Sequence, residues 1–345
     1  MPAHRSGGIT GATLARLTRA NVDRAQLRLT GKVLRTPVIR SDQLDASSGA
    51  RLWLKAESLQ RGGSFKVRGA LLAVEALAAH GSLGVIAQST GNHAIAVALA
   101  ARTHKLPTFI VLPCDAPPSK VRRIKEAGGH ITFAGTTLAD RVVAVEELRR
   151  LHGYDVIDPY DNPHVVAGQA TATAELLAQA ASEGVRLDSV VVPIGGGSAL
   201  AGACLAASGH GAAVIGAEPE AVPAFTEALR AGGPVTVQAR PTIADGLRPD
   251  RIGALPYLIA SRATSCVLTV PEEDIYAAMR AALIGARLLV EPAAATALAG
   301  ALKYASGPGR NTDIGVLLSG GNVEQRLVAD LLAEPDSSFR EGLAS

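Results

Sequence analysis

The chain has 345 residues, of which 48% are hydrophobic and 19% charged, so it is long enough to bury one large core or two medium ones. Its formal net charge is +3 and its aromatic content is 3%, so neither a basic stripe nor stacking platforms for nucleic acid are expected. This composition favours a globular protein whose partner is a small polar molecule.

The cysteines and the first residues indicate which covalent links, metal sites and cellular location to expect. Cys114, Cys204 and Cys266 are far apart in sequence and lack a nearby histidine at metal-ligand spacing. We therefore predict neither disulfides nor a zinc site, and we interpret all three as buried or half-buried thiols. Residues 1–17 lack the apolar stretch of a secretory signal, and no apolar run reaches membrane-spanning length. We expect a cytoplasmic protein without a membrane segment.

From residue 51 onward, short β-branched runs alternate with Ala/Leu-rich stretches. The predicted strands cover residues 51–55, 84–88, 108–112, 130–133, 189–194, 213–218, 265–270 and 314–318. The predicted helices cover residues 66–79, 92–104, 119–127, 138–151, 165–181, 199–207, 271–287 and 322–332. Such alternation is typical of βα units around a mostly parallel sheet, and there are more units than one sheet usually holds.

We predict an α/β protein with two domains, each an open, mostly parallel, twisted sheet flanked by helices. The turn-rich segment 158–163 (Asp-Pro-Tyr-Asp-Asn-Pro) is suited to a crossing between domains. We assign residues 1–80 and 160–345 to a large domain and residues 81–159 to a small, mobile domain. Residues 231–249 contain several Gly and Pro and are expected to form a long, functional loop.

Lys66 lies in the segment 62–70 (GGSFKVRGA), a glycine-rich turn that opens a predicted helix. The chain has seven lysines against twenty-seven arginines, so arginine would have served for charge alone. A Schiff base needs an amine that is deprotonated at moderate cost, which lysine provides and arginine does not. A solvated lysine at a helix start would explain the segment equally well. A Walker A loop would not, because Phe65 replaces one of its glycines.

The segment 195–198 (Gly-Gly-Gly-Ser) lies between an apolar strand and an Ala-rich helix. Several backbone N–H groups would therefore point from a helix N-terminus at one spot, an arrangement that binds phosphate. A dinucleotide fingerprint is the rival interpretation, and Glu218 lies at a suitable distance for it. Leu200 nevertheless occupies the position of its third glycine. A plain βα turn is the remaining alternative.

Two more turns follow predicted strands and open predicted helices. The segment 89–93 (Ser-Thr-Gly-Asn-His) offers amides and hydroxyls to an anion such as a carboxylate, and Ser319 in the segment 318–322 can donate or accept one hydrogen bond. Either segment alone would be an ordinary turn. All of these turns follow the carboxyl ends of parallel strands, where α/β folds place ligands.

The order of these motifs resembles the fold type II pyridoxal-phosphate (PLP) family, which has the tryptophan synthase β-like fold. The resemblance is to the branch that holds threonine and serine dehydratases and serine racemase, and it runs from about residue 35 to residue 324. The motifs that carry it are RTP (35–37), GSFKVRGA (63–70), STGNHA (89–94), AGQ (167–169), PIGGGSALAG (193–202), GAEP (216–219), TIADG (242–246), EP (291–292) and LSGGN (318–322).

The resemblance implies PLP as the cofactor, bound in the large domain, with Lys66 as its Schiff-base lysine and as the base that removes the α-proton. Phe65 would pack beside the cofactor ring, Asn92 would bind its phenolic oxygen and Ser319 would face its pyridine nitrogen. The residues expected at the phosphate are Gly195, Gly196, Gly197 and Ser198. Those expected at the substrate carboxylate are Ser89, Thr90, Gly91 and His93.

A hydroxyl at Ser319 would leave the pyridine nitrogen largely unprotonated, which favours β-elimination over transamination. The expected activity is therefore conversion of a small β-hydroxy amino acid, such as threonine or serine, to a 2-oxo acid and ammonia. An amino-acid racemase is the alternative, with Thr90 as the proton-transfer group opposite Lys66. A β-replacement synthase and a non-catalytic PLP- or nucleotide-binding protein are less favoured. The resemblance also implies a homodimer.

Several positions depart from the family pattern. Ser198, Ala170 and Ala294 each replace a common glycine, so each is expected to add a Cβ near the site and to narrow the pocket. Ala224 stands where metal-binding relatives have a second carboxylate beside the residue that matches Glu218. We therefore predict no metal, and we expect Glu218 to cap or pair locally. From the number of residues after position 322 we expect no regulatory domain of the kind that biosynthetic threonine dehydratases carry, and residues 335–345 are predicted to form a loose tail.

Overall fold

The computed structural model describes residues 17–307 and 312–333. Its strands are β1 (Val38–Ile39), β2 (Arg51–Ala56), β3 (Val85–Gln88), β4 (Thr108–Leu112), β5 (His130–Phe133), β6 (Asp155–Val156), β7 (Ser189–Pro193), β8 (Ala213–Pro219), β9 (Thr264–Val270) and β10 (Asp313–Leu318). Its helices are α1 (Arg19–Leu29), α2 (Asp42–Ser48), α3 (Lys66–Ala79), α4 (Asn92–Thr103), α5 (Pro118–Ala127), α6 (Leu138–His152), α7 (Pro163–Ser182), α8 (Ser198–Ala207), α9 (Ala224–Ala231), α10 (Ala254–Ala260), α11 (Glu272–Gly285), α12 (Pro292–Ala305) and α13 (Gln325–Ala333).

The strands form two sheets. The larger has the order β1-β2-β10-β7-β8-β9, with β1 antiparallel to β2 and every other pair parallel. The smaller has the order β5-β4-β3-β6 and is parallel throughout. The predicted α/β fold with two parallel sheets flanked by helices is thereby confirmed. The exact domain boundaries and the mobility of the small domain stay predictions.

Burial explains why these runs become central strands. All six residues of β10 and all five of β7 are buried, as expected for parallel strands that are covered by helices on both faces. Helices α3 and α7 cross with their backbones in contact, because a Cβ on Gly168 would lie 2.5 Å from Gly69 Cα. This close contact fixes α3, which begins at Lys66, against the body of the large sheet.

A buried ionic cluster holds α3 from a second direction. The Arg68 guanidinium donates to the Glu57 carboxylate at 2.8 Å and to Glu175 Oε1 at 2.7 Å. Lys55 Nζ donates to Glu175 Oε2 at 2.7 Å. Removing one member of such a cluster leaves an uncompensated buried charge, at a cost of about 3–5 kcal/mol. The cluster therefore stabilises the position of α3 relative to β2 and α7.

All eight predicted strands are present within about two residues of their predicted ends, whereas β1, β6 and five helices were not predicted. Residues 232–244 contain no helix or strand, in agreement with the predicted loop. Cys204 is buried and Cys266 half-buried as predicted. The prediction for Cys114 is wrong, because this residue is exposed in the turn that follows β4. The predicted tail at 335–345 lies outside the described residues.

Among the helices of residues 17–307 and 312–333, none combines the length and the hydropathy that a membrane span requires.

Candidate active site

A cavity of about 830 Å³ is lined by residues that follow β3, β6, β7 and β10 at their carboxyl ends. This volume is in the usual range for a cofactor or small-molecule site. All twelve predicted site residues line it, namely Phe65, Lys66, Ser89, Thr90, Gly91, Asn92, His93, Gly195, Gly196, Gly197, Ser198 and Ser319. The structure therefore brings the predicted residues together, although their individual roles stay predictions.

Lys66 is the first residue of α3, and its amine faces polar groups of two turns, the segment 158–163 and the segment 195–198. Its Nζ lies 3.3 Å from the Pro159 carbonyl oxygen and 3.4 Å from Ser198 Oγ. Burial lowers the pKa of this amine to about 8, and the carboxylates of Asp158 and Glu291 partly oppose the shift. About a tenth of the Lys66 amine is therefore unprotonated at pH 7 and about half at pH 8, and this neutral form is the one that a nucleophile or a general base requires.

The turn before Lys66 is tied to the end of β10. Phe65 is buried, its ring centroid lies 5.2 Å from Lys66 Nζ, and its backbone N–H donates to the Ser319 carbonyl at 3.0 Å. Ser64 forms an isolated antiparallel bridge with Gly320. The lysine and the hydroxyl of Ser319 are consequently held on adjacent, mutually bonded segments.

The segment 195–198 has the geometry of an anion site. Gly197 has φ +94°, a left-handed conformation that favours glycine, and α8 begins at the next residue. A Cβ on Gly196 would lie 2.0 Å from the Tyr160 ring, so this position has no room for a side chain. Backbone amides at the start of α8, together with the buried Ser198 hydroxyl, form a donor set suited to phosphate.

The segment 89–93 forms a second helix N-terminus at the cavity. Gly91 is the N-cap of α4, and no side chain caps this helix, so its first amides are left for a ligand. Burial, followed by the nearby Lys66 charge, lowers the pKa of His93 to about 3, so its ring is neutral. His93 Nε2 lies 3.0 Å from the Ile157 carbonyl. Its contribution to a bound carboxylate would therefore come from the backbone amide.

Glu291 and Asn322 are among the cavity residues that had no predicted role. Glu291 precedes α12, and its Oε1 accepts a hydrogen bond from Asn92 Nδ2 at 2.7 Å. Asn322 Nδ2 donates to Asn92 Oδ1 at 2.8 Å. Burial raises the pKa of Glu291 to about 7. In the sequence, the only indication that these two residues belong to the site was their position in the EP and SGGN motifs.

Three residues that replace common family glycines were expected to lie at the pocket, and one of them does. Ser198 lines the cavity, whereas Ala170 and Ala294 are fully buried and are absent from its described lining. Ala170 packs in the contact between α7 and α8, where a Cβ on Gly202 would lie 2.7 Å from the Ala170 nitrogen. The prediction that Ala170 and Ala294 add bulk at the site is therefore wrong, because both lie in hydrophobic clusters and neither lines the cavity.

Glu218 caps locally, as predicted. Its carboxylate accepts the N–H groups of Phe225 and Thr226, each at 2.9 Å, in the first turn of α9. In the described part of the chain, no group of three or more His, Cys, Asp or Glu residues could hold a metal ion. That the protein uses no metal stays a prediction.

Known proteins are similar to this chain over most of its length. The family model described as "Pyridoxal-phosphate dependent enzyme" matches residues 29–320. The L-threo-3-hydroxyaspartate ammonia-lyase of Saccharomyces cerevisiae is 38% identical over 92% of this chain and 96% of its own length. The serine racemase of Oryza sativa subsp. indica is 34% identical over 88% and 90%.

Solved structures are similar along nearly the whole chain. Maize serine racemase has a TM-score of 0.86 at 34% identity, covering 91% of this chain and 96% of its own. A threonine deaminase from T.th. has a TM-score of 0.84 at 38% identity, covering 89% and 99%.

Proposed function

This chain belongs to the pyridoxal-phosphate-dependent enzymes, and we propose that it is an ammonia-lyase that converts a small β-hydroxy amino acid to a 2-oxo acid and ammonia. The observation that carries the proposal is Lys66, an amine of lowered pKa between two uncapped helix N-termini in one cavity. Ammonia-lyases are among the relatives of similar length, which supports elimination as the reaction class.

The residues present fit PLP. Segment 195–198 offers amides and a hydroxyl to a phosphate, Lys66 offers an amine to an aldehyde, and Ser319 offers a neutral hydroxyl to a ring nitrogen. When bound, PLP supplies the electron sink that makes loss of an α-proton possible. Ser319 adds no negative charge there, which is consistent with elimination in preference to transamination.

Side chains and backbone amides of the protein would carry out the proton transfer and the binding of the substrate. Lys66 would accept the α-proton, and its pKa of about 8 is close to the value at which proton transfer is efficient near neutral pH. The amides and hydroxyls of Ser89 and Thr90 would hold the substrate carboxylate and so orient the Cα–H bond toward Lys66. The Ser198 hydroxyl, 3.4 Å from Lys66 Nζ, would orient the amine between turnovers.

Threonine, serine and L-threo-3-hydroxyaspartate are the substrates to test first. Each carries a hydroxyl on the carbon next to Cα, which elimination requires. The third is the substrate named for the relatives from yeast and Pseudomonas, at 38% identity each.

Racemisation of serine is the second candidate, because serine racemases are similar over most of the chain. It requires a proton donor on the face opposite Lys66. Thr90 is the hydroxyl proposed for that position, and it lines the cavity.

The experiment is to incubate the holoenzyme with these amino acids and to measure 2-oxo acid, ammonia and D-amino acid. Lys66→Ala should lower turnover by about 10³-fold or more, because the base and nucleophile are both lost. Lys66→Arg keeps the charge and should be equally inactive, whereas Lys125→Ala, at an exposed lysine of α5, should behave as wild type. Full turnover in Lys66→Ala would refute the proposal.

We further propose a cytoplasmic homodimer in which residues 81–159 move as a small domain against residues 1–80 and 160–345. The four-stranded sheet is contiguous in sequence, which supports this division. Sedimentation equilibrium would test the dimer. Fluorescence energy transfer between labels at exposed positions of α5 and α11 would test whether substrate moves the two parts together.

A further inference from the structure

Three side chains at the cavity form a chain of hydrogen bonds whose directions are fixed by chemistry. Asn322 Nδ2 donates to the Gly62 carbonyl at 2.8 Å, and a carbonyl can only accept, so the amide nitrogen of Asn322 must face this side. The same nitrogen contacts Asn92 Oδ1 at 2.8 Å, so Asn92 presents its oxygen to Asn322. The Asn92 nitrogen therefore faces Glu291 Oε1, at 2.7 Å.

This chain leaves one donor of Asn92 for the cavity. An amide nitrogen carries two hydrogens, and the Asn92 nitrogen uses one of them on Glu291. Turning the Asn92 amide over would place its nitrogen against the Asn322 nitrogen, so the hydrogen bond between the two asparagines would be lost. Asn322 and the Gly62 carbonyl thus define the orientation of the Asn92 amide, and Glu291 Oε1 holds the amide in it by accepting from the Asn92 nitrogen.

Glu291 itself has little freedom to move. Its side chain is buried, and its backbone N–H donates to the Gly320 carbonyl at 3.0 Å. A Cβ on Gly320 would lie 2.5 Å from Glu291 Oε1, so the glycine of the SGGN motif leaves the space that this carboxylate fills. The carboxylate is thus fixed against the same turn that carries Ser319.

We propose that Glu291 is a positioning residue, which orients the Asn92 amide so that its free N–H donates to the phenolic oxygen of PLP. The inference rests on the proposed function and on the assignment of Asn92 to that oxygen. It gives Glu291 a defined task at the cofactor that involves no contact with the substrate.

The test is a double-mutant cycle on cofactor binding and spectrum. Glu291→Leu should raise the Kd of PLP for the apoenzyme about 10-fold or more, the usual effect of losing one hydrogen bond to a charged group. It should also shift the pH midpoint of the absorbance of the bound cofactor. Asn92→Ala should do the same. If Glu291 acts through Asn92, adding Glu291→Leu to Asn92→Ala should change the Kd less than about 2-fold.

Two conservative variants keep the test decisive if Glu291→Leu does not fold. Glu291→Gln can still accept from Asn92 and should retain a PLP Kd within about 3-fold of wild type. Glu291→Gln with Asn322→Asp exchanges donor and acceptor around Asn92 and also removes the donor to the Gly62 carbonyl, so urea unfolding should show a folded but less stable protein in which the Asn92 amide is turned over and the spectrum is altered. A wild-type spectrum in this double variant would overturn the proposal.

Wild-type Kd and spectrum in Glu291→Leu, or additive effects of Glu291→Leu and Asn92→Ala, would also overturn it. These readouts need no substrate. If the spectra respond as expected while no amino acid is turned over, the proposed function fails and the role of Glu291 stands.

Discussion

The cavity contains two turns of the same design that differ in what surrounds them. Segments 195–198 and 89–92 each follow a parallel strand and open a helix, α8 and α4 respectively. In segment 195–198, a Cβ on Gly196 would lie 2.0 Å from the Tyr160 ring, and a Cβ on Gly197 would lie 2.7 Å from Pro256. At the second, a Cβ on Gly91 would meet no atom within 4 Å. Protein packing thus fixes the turn proposed for the resident phosphate, and the turn proposed for the exchanging substrate is left open.

The largest effect is expected when the packed turn is disrupted. Gly196→Ala should raise the Kd of PLP by about 100-fold and lower the unfolding free energy by about 1–3 kcal/mol, because the new methyl group overlaps the Tyr160 ring. Equilibrium dialysis and urea unfolding would measure both effects. Gly233→Ala, at a glycine with no atom within 4 Å of its Cβ position, is the matched control. Wild-type PLP affinity in Gly196→Ala would contradict the packing argument.

The same change in the open turn should separate substrate from cofactor. Gly91→Ala adds its methyl group to empty space at the cavity, so the PLP Kd and the melting temperature should stay at wild-type values. The KM for the amino acid should rise about 10-fold, the usual penalty for one misplaced methyl group in a pocket. Steady-state kinetics on the reconstituted enzyme would measure it. A loss of PLP affinity as large as that of Gly196→Ala would remove the contrast between the turns.

Lys66 lies within reach of the packed turn, and its pKa makes a prediction about pH. Covalent capture of the PLP aldehyde needs the neutral amine, which predominates above the pKa of about 8. The capture rate should fall about tenfold per pH unit below pH 8 and level off above it. Stopped-flow absorbance of apoenzyme mixed with PLP would test this. A rate that still rises tenfold between pH 9 and pH 10 would indicate an unshifted lysine.

The smallest effect is expected at Thr90 in the open turn. Its β-branched side chain is restricted at χ1, and an unactivated hydroxyl transfers protons poorly near neutral pH. Thr90→Ala should therefore leave the kcat for 2-oxo acid formation from L-serine, measured at saturating substrate, within about 3-fold of wild type, because elimination does not use this hydroxyl for proton transfer. In the wild-type enzyme, 2-oxo acid should accumulate faster than D-serine. Chiral chromatography beside an oxo-acid assay measures both, and faster D-serine formation would favour the racemase.

The long central strands were predictable because each contains a run of apolar, often β-branched residues. Residues 314–318 form an apolar, β-branched run, and such a run is buried wherever parallel strands are covered on both faces. Val38–Ile39 and Asp155–Val156 have two residues each, too few for any periodicity. Their conformation comes from pairing with β2 and β3, so tertiary context determines them.

The site was predictable where a motif follows a strand and not where distant side chains meet. The turns around Lys66, Asn92 and Ser319 converge because the carboxyl ends of parallel strands share one edge. The contact between Glu291 and Asn92 joins residues 199 positions apart, and no local pattern encodes it. Asp158 and Tyr160 were recognised as a turn, and their place at the cavity depends on how the chain returns to the large sheet.

The position of β10 has a consequence for biosynthesis. It is the last strand in the described part of the chain, yet it lies inside the large sheet between β2 and β7. On the ribosome, the four-stranded sheet can close once residue 156 has emerged, whereas β2 and β7 keep unpaired edges until residues 313–318 are made. Exposed strand edges promote association between nascent chains. The large sheet, and with it the cofactor pocket, can therefore be completed only after residue 318 has been made, and the unpaired edges make the chain most prone to association before that point.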